Sequence, residues 1–118
     1  MAHDSHNLVV PGMDVLDMLI AARDISSIGR GLSVVIDKRV IANFSLPLAW
    51  LMSHAKIDSV ITSLDALDIA CLKLRVKVDQ DPFMLLSILA LPVIPSLKLT
   101  DKGLVGVDNF RYNNLWLD

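Results

Sequence analysis

The chain has 118 residues, a formal net charge of −2 at pH 7 and a pI near 5.8, so its charge gives no pull toward nucleic acid or an anionic membrane. Hydrophobic residues make up 53% of it and charged residues only 20%, for a mean hydropathy of +0.54. The longest stretches free of Asp, Lys and Arg, residues 40–55 and 82–97, are too short for a membrane span, which needs ~20 apolar residues, and Pro47, Pro92 and Pro95 interrupt them.

Residues 1–7 read as a flexible tail; they lack a basic start followed by an apolar run, so no secretory signal is expected. Leu8, Val9 and Val10 suit a short strand, broken by Pro11 and Gly12. Residues 13–28 read as a helix, with Met13, Leu16, Ile20 and the 19–22 region on a broad apolar face. Asp14 and Asp17 lie where the helix dipole favours anions, and Gly29 is a fitting stop. Residues 32–37 are β-branched and read as a strand. Asp37, Lys38 and Arg39 turn it into a second strand over 40–44, giving a hairpin. Ser45 then caps a helix with Pro47 in its first turn, running to about Lys56. A short helix is read over 58–64.

The clearest pattern follows. Ala70, Leu72, Leu74, Val76 and Val78 alternate with Cys71, Lys73, Arg75, Lys77 and Asp79, the period-two signature of a half-buried strand. Asp81 and Pro82 open a helix over 83–91 that is apolar nearly all round, which places it at the centre of a core or interface. Residues 93–99 begin a strand, Gly103 suits a hairpin turn over 100–103, and Leu104, Val105 and Val107 return. The expected fold class is α+β: one compact domain over residues 1–118, with a mixed or antiparallel sheet and about three helices packed on it.

All 13 acidic residues are Asp, so any carboxylate chemistry falls to Asp. The close pairs Asp14/Asp17, Asp65/Asp68 and Asp79/Asp81 suit capping and turn duty better than catalysis. His3, Asp4 and His6 beside the amino terminus have chelating atoms, but a mobile tail is the plainer reading. His54 is the one candidate catalytic residue, placed on the second helix; its neighbour Ser53 cannot face it there. Cys71 shares the expected strand face with Lys73 and Arg75, whose charges lower a thiol pKa, although an inert thiol is the simpler expectation. Lys73, Arg75 and Lys77 form a basic row that lacks the companions of a nucleic-acid site. Residues 26–31 resemble an anion cradle but sit at the wrong end of a helix dipole. No metal-ligand set or cofactor fingerprint stands out, so neither a metal nor a cofactor is expected.

The apolar surplus has to go into a core, a subunit interface or a ligand cavity. Phe83 and Leu86 on the apolar helix, and Arg111, Tyr112 and Trp116 in the aromatic tail, are the candidate partner- or ligand-binding residues. The favoured reading is a small non-enzymatic interaction module that self-associates through an apolar surface, most simply as a homodimer. The alternative is a small-molecule binder or small enzyme with an enclosed apolar cavity and an Asp or His general base. A protein or an apolar small molecule fits as partner; nucleic acid does not. One unpaired cysteine suits a reducing compartment, so a cytoplasmic location is expected. No motif marks a known family.

Overall fold

Asp14 fixes where regular structure begins. In a computed structural model describing residues 8–49, 52–76, 81–91, 93–100 and 102–114, it precedes helix α1 (Val15–Ser27) in extended backbone. Its carboxylate accepts from the Leu16 and Asp17 N–H groups at 2.8 and 3.0 Å. Two donors that the first helical turn leaves unpaired are thereby satisfied. Ile28 closes the helix and Gly29, at φ +82°, carries the chain away from it.

Strands β1 (Gly31–Ile36) and β2 (Arg39–Ser45) form an antiparallel hairpin. Asp37 and Lys38 make the turn with φ of 51° and 64°. Two left-handed residues give a turn whose twist matches the strands, at a cost of roughly 1–2 kcal/mol for each residue that is not glycine. Gly31 answers a different need: at φ +152° a Cβ on it collides with the Phe44 backbone across the ladder. A bulge leaves Ile41 without a partner, since Val34 pairs with Ala42 and Val35 with Val40.

The hairpin is covered by α1 and by helix α2 (Ile57–Lys73). Val34, Phe44 and Leu46 pack with Leu67, Ala70 and Cys71 of α2, and Leu32, Ile36, Ala42, Val60 and Phe83 close the margins. Leu67 is 1% exposed and is the largest fully buried side chain among the described residues. Beyond α2 come helix α3 (Pro82–Leu89) and strands β3 (Leu97–Thr100), β4 (Gly103–Gly106) and β5 (Arg111–Asn113), which form a second antiparallel sheet in the order β3-β4-β5. The fold is α+β, as expected, with two small antiparallel sheets.

Three expectations are corrected. The helix over 46–56 does not form: the Leu46 N–H donates to the Arg30 carbonyl at 2.9 Å, and Leu48 and Met52 bond each other across a tight loop. The hairpin core claims Leu46, so the chain leaves β2 extended and cannot nucleate a helix there. The strand over 70–78 is also absent, because α2 runs through it to Lys73. Val60, Leu67, Ala70 and Cys71 recur at helical spacing toward the hairpin, while the alternating Leu72 and Leu74 are exposed. Residues 77–80 lie outside the described residues. Helix α3 forms where expected, capped by Asp81, whose Oδ1 accepts from Phe83 N–H at 2.8 Å. It is not the centre of the core, however: Ser87 is its one buried residue, and Met84, Ile88 and Leu89 are exposed.

This placement makes matched substitutions unequal. Leu67→Ala should cost about 2–4 kcal/mol in urea unfolding, because it empties a closed site. Leu72→Ala, on the outer face of the same helix, should stay within about 0.5 kcal/mol. Equal losses would place the core elsewhere.

Candidate functional site

The carboxylates of α1 are structural. Asp17 and Asp24 lie seven residues apart, two helical turns, and so share a face. The Lys38 N–H donates to Asp17 Oδ1 at 2.7 Å, tying the left-handed turn to the helix. Ser33 Oγ donates to Asp24 Oδ2 at 2.7 Å, and Asn43 Nδ2 donates to both Asp24 oxygens at 3.1 and 3.2 Å. Ser33 and Asn43 are cross-strand partners, so one carboxylate clasps both strands. Asp14 and Asp17 are the close pair in the sequence, whereas the contacts to the strands fall to Asp24, for which the spacing of seven from Asp17 is the signal. Asp14 and Asp81 cap helices, and Asp65 and Asp68 are exposed on α2. Asp79 lies outside the described residues.

Cys71 is a shielded thiol, the simpler of the two expectations, although on a helix and not a strand. It sits on a helix against the hairpin, with Lys73 two residues on and not on its face. Burial pushes its pKa above the ordinary thiol value, and the Asp68 and Asp81 carboxylates add to the rise. The basic row dissolves with its strand: Lys73 ends α2, Arg75 follows it at φ +57°, and Lys77 lies outside the described residues.

His54 is exposed in the loop before α2, beside Ser53, whose Oγ accepts from the Ala55 N–H at 3.1 Å. The stretch 26–31 is a helix stop, with Ser27 Oγ donating to the Asp24 carbonyl at 2.8 Å. The residues His3, Asp4 and His6 lie outside the described residues. Among the described residues no group of three or more His, Cys, Asp or Glu is placed to hold a metal ion. No helix among the described residues is long and apolar enough to cross a membrane.

An open groove of about 510 Å³ runs between the hairpin turn and the end of α2, lined by Ile36, Asp37, Arg39, Ile41 and Lys73. The bulge supplies Ile41 to it. Its titratable groups stand on an open trough, not in the enclosed apolar cavity that a small-molecule reading required.

The apolar surplus is mostly at the surface. Of residues 81–114, Ser87, Gly106 and Val107 are buried among those described. Phe83 and Leu86 are half-buried; Arg111 and Tyr112 are exposed on β5, and Trp116 lies outside the described residues. In the second sheet the register sets Leu97, Gly106 and Arg111 in one row and Leu99, Leu104 and Asn113 in the next, all on one face. Leu97 and Leu99 are 54% and 71% exposed.

A shielded thiol has a measurable consequence. Labelling of Cys71 by a disulfide reagent at neutral pH should be slower than that of a free thiol, and labelling at the free-thiol rate would overturn the assignment. The folded state holds this proton more tightly than the unfolded one. The stability that gives is complete below the ordinary thiol pKa and fades as pH climbs through the raised value.

Comparison with known proteins reaches nearly the whole chain. A family model described as the adenine deaminase C-terminal domain matches residues 1–111. An adenine deaminase from Oleidesulfovibrio alaskensis is 49% identical over 116 residues, 98% of this chain and 20% of its own length. Adenine deaminase 2 of Carboxydothermus hydrogenoformans is 48% identical over 110 residues, 93% of this chain and 19% of its own. An adenine deaminase from Edwardsiella ictaluri is 41% identical over 115 residues. The chain spans about a fifth of the length of the curated relatives it matches. No solved structure matches it. These similarities overturn the expectation of a stand-alone non-enzymatic interaction module: the relatives are enzymes by name, and the chain corresponds to one part of them.

Proposed function

We propose, from the premise that the chain belongs to the adenine deaminase C-terminal domain family, that it works as the C-terminal domain of an adenine deaminase. In that reaction water adds to C6 of adenine, the bond from C6 to the exocyclic nitrogen breaks, and hypoxanthine and ammonia leave. The observation that carries the reading is identity of 41–49% to adenine deaminases over nearly the full chain.

In this reading the domain supports catalysis and the reacting groups belong to the rest of the enzyme. The bonding of its carboxylates favours that division. Asp14 and Asp81 are spent on helix caps, Asp17 on the hairpin turn and Asp24 on the two strands. A carboxylate already accepting one to three hydrogen bonds within the fold is poorly placed to take a proton from water. The exposed apolar surface of residues 81–114 fits a domain that is completed by the larger part of an enzyme.

The test uses the Oleidesulfovibrio alaskensis adenine deaminase. Removing the fifth that matches this chain should lower kcat/KM for ammonia release at least about tenfold, which is ~1.4 kcal/mol of transition-state stabilisation. Installing this chain in its place should restore the rate to within about threefold. An enzyme whose rate and melting temperature survive the removal unchanged would refute the reading, as would a well-folded hybrid that stays inactive.

A further inference from the structure

The second sheet is the part of the fold that lacks a covering. Its strands have four, four and three residues, and no helix packs broadly on either face among the described residues. Three strands with one apolar face are the least that a sheet needs, and covering that face would stabilise it further. One face carries the rows Leu97–Gly106–Arg111 and Leu99–Leu104–Asn113. Gly106 leaves room on that face for the Asn109 and Asn113 side-chain amides, which lie 2.7 Å from where its Cβ would be. The result is an apolar patch of Leu97, Leu99 and Leu104 over β3 and β4, bordered by the Asn109 and Asn113 amides over Gly106 and by the Arg111 guanidinium on β5. An apolar centre with Arg and Asn at its margin is the anatomy of a protein interface.

We infer that this face is the seat of the adenine deaminase's remaining four fifths, with Leu97, Leu99 and Leu104 buried against that catalytic part and Arg111 at the rim. The inference rests on the function proposed above and adds the surface through which it acts. The occupant is set by how much chain the relatives have outside the matched segment, about four fifths of their length. The other exposed apolar stripes differ in kind. Val15, Leu16 and Leu19 on α1, and Ile57, Ile61, Leu64 and Leu72 on α2, belong to helices that already pack on the hairpin. The second sheet has no such support.

A matched pair of substitutions in the hybrid enzyme tests the inference. Leu99 and Leu72 are 71% and 70% exposed, so Leu99→Lys and Leu72→Lys put the same charge on equally open positions. Leu99→Lys should slow ammonia release about tenfold or more, and Leu72→Lys less than about twofold. The 118-residue chain alone should melt at the same temperature with either lysine. Hydrogen exchange supplies a readout independent of any variant: amides of residues 97–100 should exchange about tenfold slower in the hybrid than in the 118-residue chain. An active hybrid in which both lysines act alike and residues 97–100 gain no protection overturns the docking face and leaves the family function standing. An inactive hybrid in which those amides are protected refutes the catalytic reading and supports the docking face. An inactive hybrid without protection overturns both.

Discussion

A single carboxylate decides how the two strands of the first hairpin meet the helix before them. Asp24 accepts from Ser33 on one strand and from Asn43 directly across on the other, so α1 cannot leave one strand without leaving both. Two turns earlier, Asp17 takes the Lys38 N–H at the apex, where both turn residues are left-handed. Charge-assisted hydrogen bonds of this kind are roughly twice as strong as neutral ones. They fall at the left-handed turn and across the pair of strands, both held to α1. With the hairpin held from one side by polar contacts, its other side is free to be apolar, and α2 packs there.

That division of faces explains the rest of the first layer. Leu32, Val34 and Ile36 point to α2, whereas Ser33 points to α1. Period two along the strand separates the face packed on α2 from the α1 face, where Ser33 is bonded and Val35 is buried. Leu46 extends the packed face past the end of β2, with its N–H held by the Arg30 carbonyl. Cys71 then sits in this core as a small hydrophobe, and the same burial that stabilises the packing holds its proton.

The second layer obeys the same local chemistry without the same enclosure. Asp81 and Pro82 start α3 as cap and first-turn residue, and Gly103 turns β3 into β4. Yet its leucines stay at the surface. In the curated relatives the matching segment is about a fifth of the length, and a segment of that kind has no need to bury all its apolar residues within itself. The mean hydropathy of +0.54 therefore describes exposed surface as much as core.

Caps, turns and element types were legible in the sequence wherever the deciding contacts are local. Asp14, Asp81, Gly29 and the Asp37–Lys38 turn act within four residues of themselves, so α1, the first hairpin and α3 could be read directly. The 70–78 stretch could not, because its apolar residues satisfy period two and the helical repeat together, and only the hairpin waiting at Ala70 and Cys71 chose the helix. The loop over 46–56 was decided by Arg30, sixteen residues before Leu46 in the chain. Asp24 looked like one more acid until the fold brought Ser33 and Asn43 to it. Sequence alone determined that there was more apolar surface than one core of this size requires. Only the tertiary structure decided which of it is core, in the α2–hairpin layer, and which is left facing outward on the second sheet, since burial depends on what the chain meets in space.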